Sequence, residues 1–323
     1  MYKYTVQMWR TASTAPKGRL TVTPMDIGTH IAPVSPLVSL HGIRPCGGPE
    51  ITLRVLGEVE AVGPCGTFAP GRTRPGALLA MLAMHAGECV AVDRIIDELW
   101  PAQTAAPGVK RVQVNVVRLR RALAQVAPGA DPGTIIRTRS CGYSLEIDPE
   151  RIDAVRFGRL VTRGRAELDA RDPARAAASL REALALWRGD PYADHAYEAF
   201  AAPEIGRLEE VRACALEAWA EAELARGAHA TMAPELQRLV SRHPLRERLR
   251  ALLMVALYRC CRQGEALAAY HAARRALVDG LGIEPGSELR ELQRAILEQS
   301  PALELRPPGA VFSMTSPPLA QAA

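Results

Sequence analysis

The stretch GVKRVQVNVVRLRRAL, residues 108–123, carries five positive charges and no acidic residue, yet an apolar residue recurs at every third or fourth position. On a helical wheel with 100° per residue, four apolar side chains form one stripe, and each lies within roughly 40° of the first of them. These are Val112, Val116, Leu119 and Leu123. The opposite side carries Lys110, Val114, Val117 and Arg121, flanked by Arg111 and Arg118. The pattern predicts an amphipathic helix whose apolar stripe packs on a core while its basic side faces outward.

The charge imbalance extends beyond this helix. Between Thr104 and Leu145 seven Lys and Arg residues stand against one acid, Asp131, which gives a local net charge of +6. A helix that only faces solvent usually mixes Glu among its basic residues, because opposite charges four positions apart attract each other. Duplex DNA is densely anionic, and a one-sided basic helix gains from counterion release on binding it. The segment therefore indicates a DNA contact, with a merely solvated basic face as the alternative.

The sequence on either side of the basic helix completes a known arrangement. Before it, ITLRVLGEVEAVG has the alternation of a half-buried strand, and RPGALLAMLAMHAG and DRIIDELWP have the apolar spacing of two helices. After it, TIIRTRSCGYSLEI has the pattern of two short strands around a turn at Ser140, Cys141 and Gly142. Strand, helix, helix, basic helix and hairpin is the order of a winged helix-turn-helix, in which the third helix enters the major groove.

Individual side chains of the basic helix have different expected roles. Val114 and Val117 are unusual on an exposed face, and the thymine methyl group in the major groove is an apolar partner for them. Arg118 flanks the groove side, so we expect it to touch a base edge or the nearest phosphate. Arg120 lies nearer the apolar stripe and is expected to pair within the protein or to reach the DNA backbone.

The hairpin adds two further cations. Arg137 and Arg139 alternate on one strand, so they share a face and can straddle a minor groove or its phosphates. Tyr143, on the following strand, fits the core and a DNA contact equally well. The hairpin is therefore expected to be the wing of the arrangement.

From about Glu150 the sequence changes to helices rich in Ala, Leu, Arg and Glu, and a repeated spacing runs through them. Met232, Leu236 and Leu239 recur 34 residues later as Ala266, Tyr270 and Ala273, and an earlier copy, offset by 56 residues, is Ala176, Leu180 and Ala183. A 34-residue period with small residues at helix contacts is typical of tetratricopeptide repeats, because small side chains let paired helices approach closely. An alanine-rich helical bundle without true repeats is the alternative.

These patterns predict a mainly α protein with a small β component, namely an N-terminal winged helix-turn-helix followed by an all-α tetratricopeptide-like domain. The expected boundaries are residues 50–148 for the winged helix and 149–300 for the helical domain. Residues 1–49 and 301–323 are aperiodic and rich in Pro, so we expect a disordered extension and a flexible tail. Met25 is a second candidate start of the chain, because nothing before it has a structural pattern.

The composition argues against several other classes of protein. Seven cysteines are scattered without a C-x-x-C pair, which favours reduced thiols and gives no metal site. No apolar run reaches the length of a membrane span, and the first residues lack a secretory signal. We therefore expect a cytoplasmic, nucleoid-associated protein. Phosphate-binding loops and hydrolase motifs are missing from the sequence, so we expect no enzymatic activity, no cofactor and no metal.

The motifs quoted above resemble one family in particular. VQVNVVRLRRAL with IIRTRSCGYSLEID is similar to the third helix and wing of OmpR-type DNA-binding domains. Together with RFGRLVTRGRAEL, REALALWRGDPYAD and RQGEALAAYHAARRALVDGLGIEPGSELRELQRAIL, these motifs closely resemble the SARP family, the actinobacterial antibiotic regulatory proteins. The resemblance covers about residues 51–297 and implies a bacterial transcriptional activator domain after the winged helix.

The resemblance also implies a function and a set of DNA contacts. SARP proteins are pathway-specific activators that bind direct repeats in promoter DNA and help recruit RNA polymerase holoenzyme, and a homodimer on the repeats is one arrangement. Family contacts come from the third helix and the wing. In this sequence they correspond to Lys110, Arg111, Gln113, Val114, Val117, Arg118, Arg121, Arg137 and Arg139.

Three features depart from the family pattern. Ser140 and Cys141 stand where the wing turn usually carries Pro, and Asn115 replaces a common aromatic residue of the third helix. Cys261 replaces a small residue, often Gly, in the turn between the last paired helices. These substitutions affect the expected local geometry more than the expected function.

Other functions remain open at this level. A repressor or a ligand-responsive regulator would share the same domains. A response regulator would need a receiver domain of over 100 residues, whereas only about 50 residues precede the first strand. A tetratricopeptide scaffold without DNA binding would leave the segment of charge +6 unexplained.

Overall fold

The structure is a computed structural model that describes residues 51–101, 108–129 and 131–303. The expected disordered extension, residues 1–49, lies outside the described residues, as do residues 304–323 of the expected tail. Within the described ranges no helix is both long enough and apolar enough to span a membrane.

The winged-helix half begins with a three-stranded antiparallel sheet, where the sequence pattern predicts a single strand. β1 (Thr52–Arg54), β2 (Glu60–Gly63) and β3 (Gly66–Phe68) pair in this order. The chain bends at residues 56–58, so that Arg54 pairs with Glu60. The single-strand prediction was wrong because strands of three or four residues contain too few alternating positions to stand out from the turns between them.

Three helices follow in the expected order. They are α1 (Arg74–Met84), α2 (Val92–Leu99) and α3 (Gly108–Val126). α1 begins after Thr73, whose hydroxyl oxygen accepts a hydrogen bond from the backbone N–H of Gly76 at 3.2 Å and so satisfies an unpaired donor of the first turn. Both α2 and α3 pack against α1, which is buried along most of its length.

The wing is a second three-stranded sheet, which confirms the predicted hairpin and adds a strand to it. β4 (Val90–Ala91), β6 (Gly142–Leu145) and β5 (Ile136–Thr138) are neighbours in this order, and a one-turn helix, α4 (Pro132–Ile135), leads into β5. Glycine is required at position 142, because a Cβ atom there would lie 1.9 Å from the carbonyl oxygen of Val90. The close approach of β6 to β4 therefore depends on this residue.

Two cysteines that are 52 residues apart in sequence meet beside the wing. Cys89 precedes β4 and Cys141 precedes β6, and a disulfide joins the two residues with their Cα atoms 6.9 Å apart. The expectation of reduced thiols throughout is wrong for this pair, because residue spacing does not reveal which strands will pair. The free cysteines of the described residues are Cys65, Cys214, Cys260 and Cys261.

Helices form most of the described chain beyond residue 152. They are α5 (Asp153–Asp169), α6 (Pro173–Ala185), α7 (Ala202–Ala225), α8 (His229–Arg242), α9 (Glu247–Arg259), α10 (Gln263–Leu281) and α11 (Ser287–Leu297). Consecutive helices pack on one another, and all nine positions of the repeated spacing are buried. The small-large-small pattern therefore marks the contacts between helices, as a tetratricopeptide-like arrangement requires.

The end of the described chain contacts α9. Pro301–Leu303 form a 3-10 turn, and the carbonyl oxygen of Leu303 accepts a hydrogen bond from Nε of Arg259 at 2.8 Å. This contact joins the first three residues of the expected flexible tail to α9.

One hydrophobic core runs across the expected boundary at residue 149. It extends from Ile51 to Ala218 and includes Phe157 of α5 and Leu180 of α6. A second core extends from Ala220 to Ile296, so α7 contributes to both. The winged helix therefore shares its apolar interior with the first helices of the helical domain.

A buried carboxylate fixes this junction. Asp153, the first residue of α5, accepts hydrogen bonds from the backbone N–H groups of Val55 at 2.8 Å and Leu56 at 3.2 Å. Nη2 of Arg188 lies 3.8 Å from the same carboxylate. Burial raises the pKa of Asp153, although the two backbone hydrogen bonds oppose that shift. The start of α5 is thus attached to the segment that follows β1.

Candidate nucleic-acid interface

The inner face of α3 packs as its periodicity predicts. Val112, Leu119 and Leu123 are fully buried, and Val116 is 1% exposed. At the start of the helix, a Cβ atom on Gly108 would lie 2.8 Å from Cδ1 of Ile96, so glycine lets α3 approach α2 closely. The packing of this stripe fixes the direction in which the opposite face points.

The outer face of α3 presents six of the seven helical candidates to solvent, and Arg111 is half-buried at its edge. The exposed candidates are Lys110, Gln113, Val114, Val117, Arg118 and Arg121. Val114 and Val117 are 48% and 45% exposed, as the wheel predicts. Val109, at the beginning of the helix, is similarly exposed at 47% and was not among the predicted contacts.

A shallow depression runs along one side of this face. It is lined by Arg74, Trp100, Lys110, Arg111, Val114, Asn115 and Arg118. Four of these side chains are cationic, and none of them is acidic. Gln113, Val117 and Arg121 form a second stripe, at a spacing of four residues, that lies outside the depression. The predicted contacts therefore divide into two neighbouring stripes of one helix.

Three residues of the depression were not among the predicted DNA contacts. Two of them come from elements other than α3, and the third, Asn115, belongs to α3 itself. Arg74 is the first residue of α1 and Trp100 follows α2, so tertiary packing brings both to α3. The basic pair in GRTRPG, residues 71–76, was the signal for Arg74 in the sequence. Asn115 is buried, and its side-chain Nδ2 donates to the carbonyl oxygen of Arg111 at 2.8 Å.

Arg120 pairs within the protein, as one of its two predicted roles requires. Its Nε donates to the carbonyl oxygen of Ile136 at 3.0 Å, and its Nη2 donates to the hydroxyl of Thr138 at 2.9 Å. This guanidinium ties α3 to β5 and so sets the position of the wing relative to the basic helix.

The two wing cations have different surroundings. Arg137 on β5 and Arg139 beyond it are both exposed, but Nη2 of Arg139 lies 2.5 Å from Glu146 and its Nε donates to Ser144 at 3.1 Å. Partial burial opposes ionisation of Glu146, yet hydrogen bonds from Ser144 and Arg139 lower its pKa. Arg137 is therefore the more available of the two cations, and Tyr143 is buried in the core.

This surface is suited to a rigid polyanion. Its cations can neutralise phosphates, and its exposed valines offer apolar contact between them. Within the described ranges no group of three or more His, Cys, Asp or Glu residues is arranged to hold a metal ion. The order of elements and the exposed basic helix define a winged helix-turn-helix DNA-binding protein with a helical domain behind it.

Family models match the chain in the same order. A model described as "Transcriptional regulatory protein, C terminal" matches residues 71–145, and one described as "Bacterial transcriptional activator domain" matches residues 152–297. The chain belongs to the SARP family and is a DNA-binding transcriptional activator of that family.

Individual relatives cover most of the chain. Regulatory protein DnrI of Streptomyces peucetius is 36% identical over 260 residues, which are 79% of this chain and 95% of the relative. Transcriptional regulator RedD of Streptomyces coelicolor is 36% identical over 305 residues, which are 94% of this chain and 84% of the relative. Both are named as regulators and neither as an enzyme.

A solved structure has the same fold. Mycobacterium tuberculosis EmbR, in complex with a low affinity phosphopeptide, superposes with a TM-score of 0.75 at 32% identity. The superposition covers 78% of this chain and 66% of the EmbR chain.

Proposed function

We propose that the protein switches on a secondary-metabolite biosynthetic gene cluster by binding direct repeats in promoter DNA and helping to recruit RNA polymerase holoenzyme. The observation that carries the proposal is the outer face of α3, where two exposed valines lie among Lys110, Arg118 and Arg121. Phosphate contacts position a protein on the duplex, whereas base-edge contacts specify the sequence. This face carries both kinds of side chain.

The residues divide between these two tasks. Lys110, Arg111 and Arg121 are proposed to bind phosphates, while Val114 and Val117 contact thymine methyl groups. Arg118, at the edge of the depression, is the candidate for a base edge, and Gln113 is a further one on the second stripe. Arg137 and Arg139 are proposed to reach the adjacent minor groove or its phosphates.

The helical domain is the proposed contact for RNA polymerase. Its match to an activator domain over residues 152–297 supports this assignment. The division into a winged helix at 50–148 and a helical domain at 149–300 is part of the proposal. A homodimer on direct repeats would place two helical domains side by side on the promoter. These steps occur in the cytoplasm, at the nucleoid.

Run-off transcription with purified RNA polymerase holoenzyme tests the proposal. The template carries the promoter of a neighbouring biosynthetic gene with its direct repeats, and the control template has the repeats scrambled. We expect added protein to increase the transcript from the first template only. A second control uses Arg118→Ala, which should fail to increase it.

Two results would contradict this account. A decrease in transcript on the repeat-containing template would identify a repressor with the same domains. An equal increase on both templates would remove the role of the direct repeats. The same reaction is repeated with small molecules extracted from cells. A ligand-responsive regulator would increase the transcript only in their presence, whereas the proposed activator does so without them.

A further inference from the structure

The depression beside α3 contains one cation that comes from neither α3 nor the wing. Arg74, the first residue of α1, lines it together with Lys110, Arg111 and Arg118. Nη1 of Arg74 lies 3.4 Å from Oε1 of Glu198, which belongs to the segment between α6 and α7. An acidic residue of the helical domain therefore touches a cation of the DNA-facing surface.

The segment that carries Glu198 is anchored on the winged helix. Oδ2 of Asp194 accepts a hydrogen bond from the backbone N–H of Val59 at 3.3 Å. The guanidinium of Arg72 lies 5.7 Å from the centre of the Tyr197 ring, within the range of a cation–π contact. These two attachments, both just before Glu198 in the chain, hold it close to the beginning of α1.

The ion pair itself is open to exchange. The side chains of Arg74 and Glu198 are 47% and 38% exposed, and exposed ion pairs contribute little to stability because water and salt screen them. A DNA phosphate that enters the depression carries the same sign of charge as the Glu198 carboxylate. It can therefore replace that carboxylate on Arg74, and the carboxylate repels it as it approaches.

We propose that Arg74 contacts the DNA backbone and that Glu198 competes with the phosphate for it, so that the helical domain weakens DNA binding through this pair. The inference rests on the proposed placement of promoter DNA along α3. Because a phosphate contact carries no sequence information, Arg74 raises the affinity for all duplexes alike. Glu198 reduces this increase in affinity, because it occupies Arg74 when no phosphate is bound.

The test measures binding of the full-length protein to two labelled duplexes by fluorescence anisotropy, from roughly 50 to 200 mM salt. One duplex carries the direct repeats and the other a scrambled sequence. Arg74→Ala should weaken binding to both by roughly threefold or more, and should reduce the slope of log affinity against log salt by about 1. Arg74→Lys keeps the charge and should keep the slope.

Glu198→Gln is the second variant. It should tighten binding to both duplexes by roughly two- to fivefold in the wild-type background, because the competitor and its charge are removed. In the Arg74→Ala background the tightening should be clearly smaller, since the competition for Arg74 is already gone and only the repulsion between the carboxylate and the phosphate remains. This double-mutant comparison separates competition for Arg74 from a general change in net charge.

A matched pair elsewhere in the helical domain provides the control. Arg156 of α5 and Glu182 of α6 form an ion pair at 2.6 Å, with side chains 50% and 49% exposed. Arg156→Ala and Glu182→Gln make the same changes in charge outside the depression, and we expect both to leave affinity and salt slope as in the wild type. Thermal unfolding of each variant checks that the fold is retained.

Three results would overturn one part of the proposal each. An unchanged salt slope in Arg74→Ala, with specific binding by the wild type intact, would overturn the phosphate contact. Equal tightening by Glu198→Gln with and without Arg74 would overturn the competition. A wild-type protein that fails to prefer the repeat duplex contradicts the proposed function itself, and that result is recognised without any variant.

Discussion

Val116 and Val117 are neighbours in sequence with opposite surroundings, since Val116 is 1% exposed and Val117 is 45% exposed. Val116→Ala leaves a cavity in the core and should lower the free energy of unfolding by roughly 2 kcal/mol. Val117→Ala removes no core contact and should change it by less than about 0.5 kcal/mol. Urea unfolding of the two variants measures this difference.

Val117→Ala has little expected effect on stability, but we expect it to weaken DNA binding. If Val117 contacts a thymine methyl group, Val117→Ala weakens binding to the repeat duplex by about 1 kcal/mol and leaves the scrambled duplex unaffected. Anisotropy titration on both duplexes provides the measurement. If Val117→Ala binds the repeat duplex as tightly as the wild type does, Val117 contacts no base.

The sequence predicts which side chains lie on each face of α3, but it does not predict every residue of the DNA-facing surface. The two faces depend only on local spacing along one helix, and Arg120 is internal because it borders the apolar stripe. Arg74 and Trp100 reach the same depression from α1 and α2, and Glu146 engages Arg139 across the wing. Such neighbours depend on tertiary packing, which charge counts along the chain do not contain.

At the scale of elements, three turns between paired helices share one backbone conformation. Arg171 and Cys261 each have φ of 59°, and Gly227 has φ of 89°. Their separations of 56 and 34 residues equal the offsets of the buried small-large-small positions. A left-handed residue ends one helix of each pair so that the next can turn back against it, and this is the conformation that glycine adopts most easily.

Cys261→Gly should therefore stabilise the protein. The left-handed region costs a residue with a Cβ atom more than it costs glycine, so the free energy of unfolding should rise by about 0.5–1 kcal/mol. Cys260 is the matched control, because its φ of −86° suits any residue and Cys260→Gly should lower stability by a similar amount. Equal losses in both variants, measured by urea unfolding, would refute this explanation of the turns.

Short elements are harder to predict than helices for a physical reason. α3 and the helices beyond residue 152 contain several turns of apolar spacing, so their pattern is readable in the sequence. β4 has two residues and exists only through its pairing with β6, and the same pairing brings Cys89 and Cys141 together. Contacts between distant segments decide such strands, and a local pattern carries no record of them.

At the scale of the whole molecule, the winged helix and the first helices of the helical domain share one core. Asp153→Ala should lower the stability of the winged helix and of these helices together, because it leaves the buried N–H groups of Val55 and Leu56 without their acceptor. We expect a loss of about 2–4 kcal/mol in the free energy of unfolding. Asp153→Asn keeps a carbonyl oxygen at the site and should lose less.

Urea unfolding followed at two positions distinguishes shared from separate stability. Trp100 reports on the winged helix and Trp187 on the helices behind it, so single-tryptophan variants give one signal for each region. The shared core predicts that both midpoints fall together in Asp153→Ala. A fall of only one midpoint would mean that the two regions unfold independently. Composition predicts where the helical part begins, but apolar faces do not reveal which neighbour covers them.

A competition titration shows whether the outer face of α3 reads promoter DNA. Wild type and Arg118→Ala are titrated onto a labelled repeat duplex with scrambled duplex as competitor, from roughly 50 to 200 mM salt. We expect the wild type to prefer the repeats by roughly a thousandfold or more, with steep salt dependence. Arg118→Ala should lose about 1–3 kcal/mol on the repeats and less on scrambled DNA, whereas an equal loss on both makes Arg118 a phosphate contact. Equal affinity of the wild type for both duplexes would show that α3 does not read the promoter sequence.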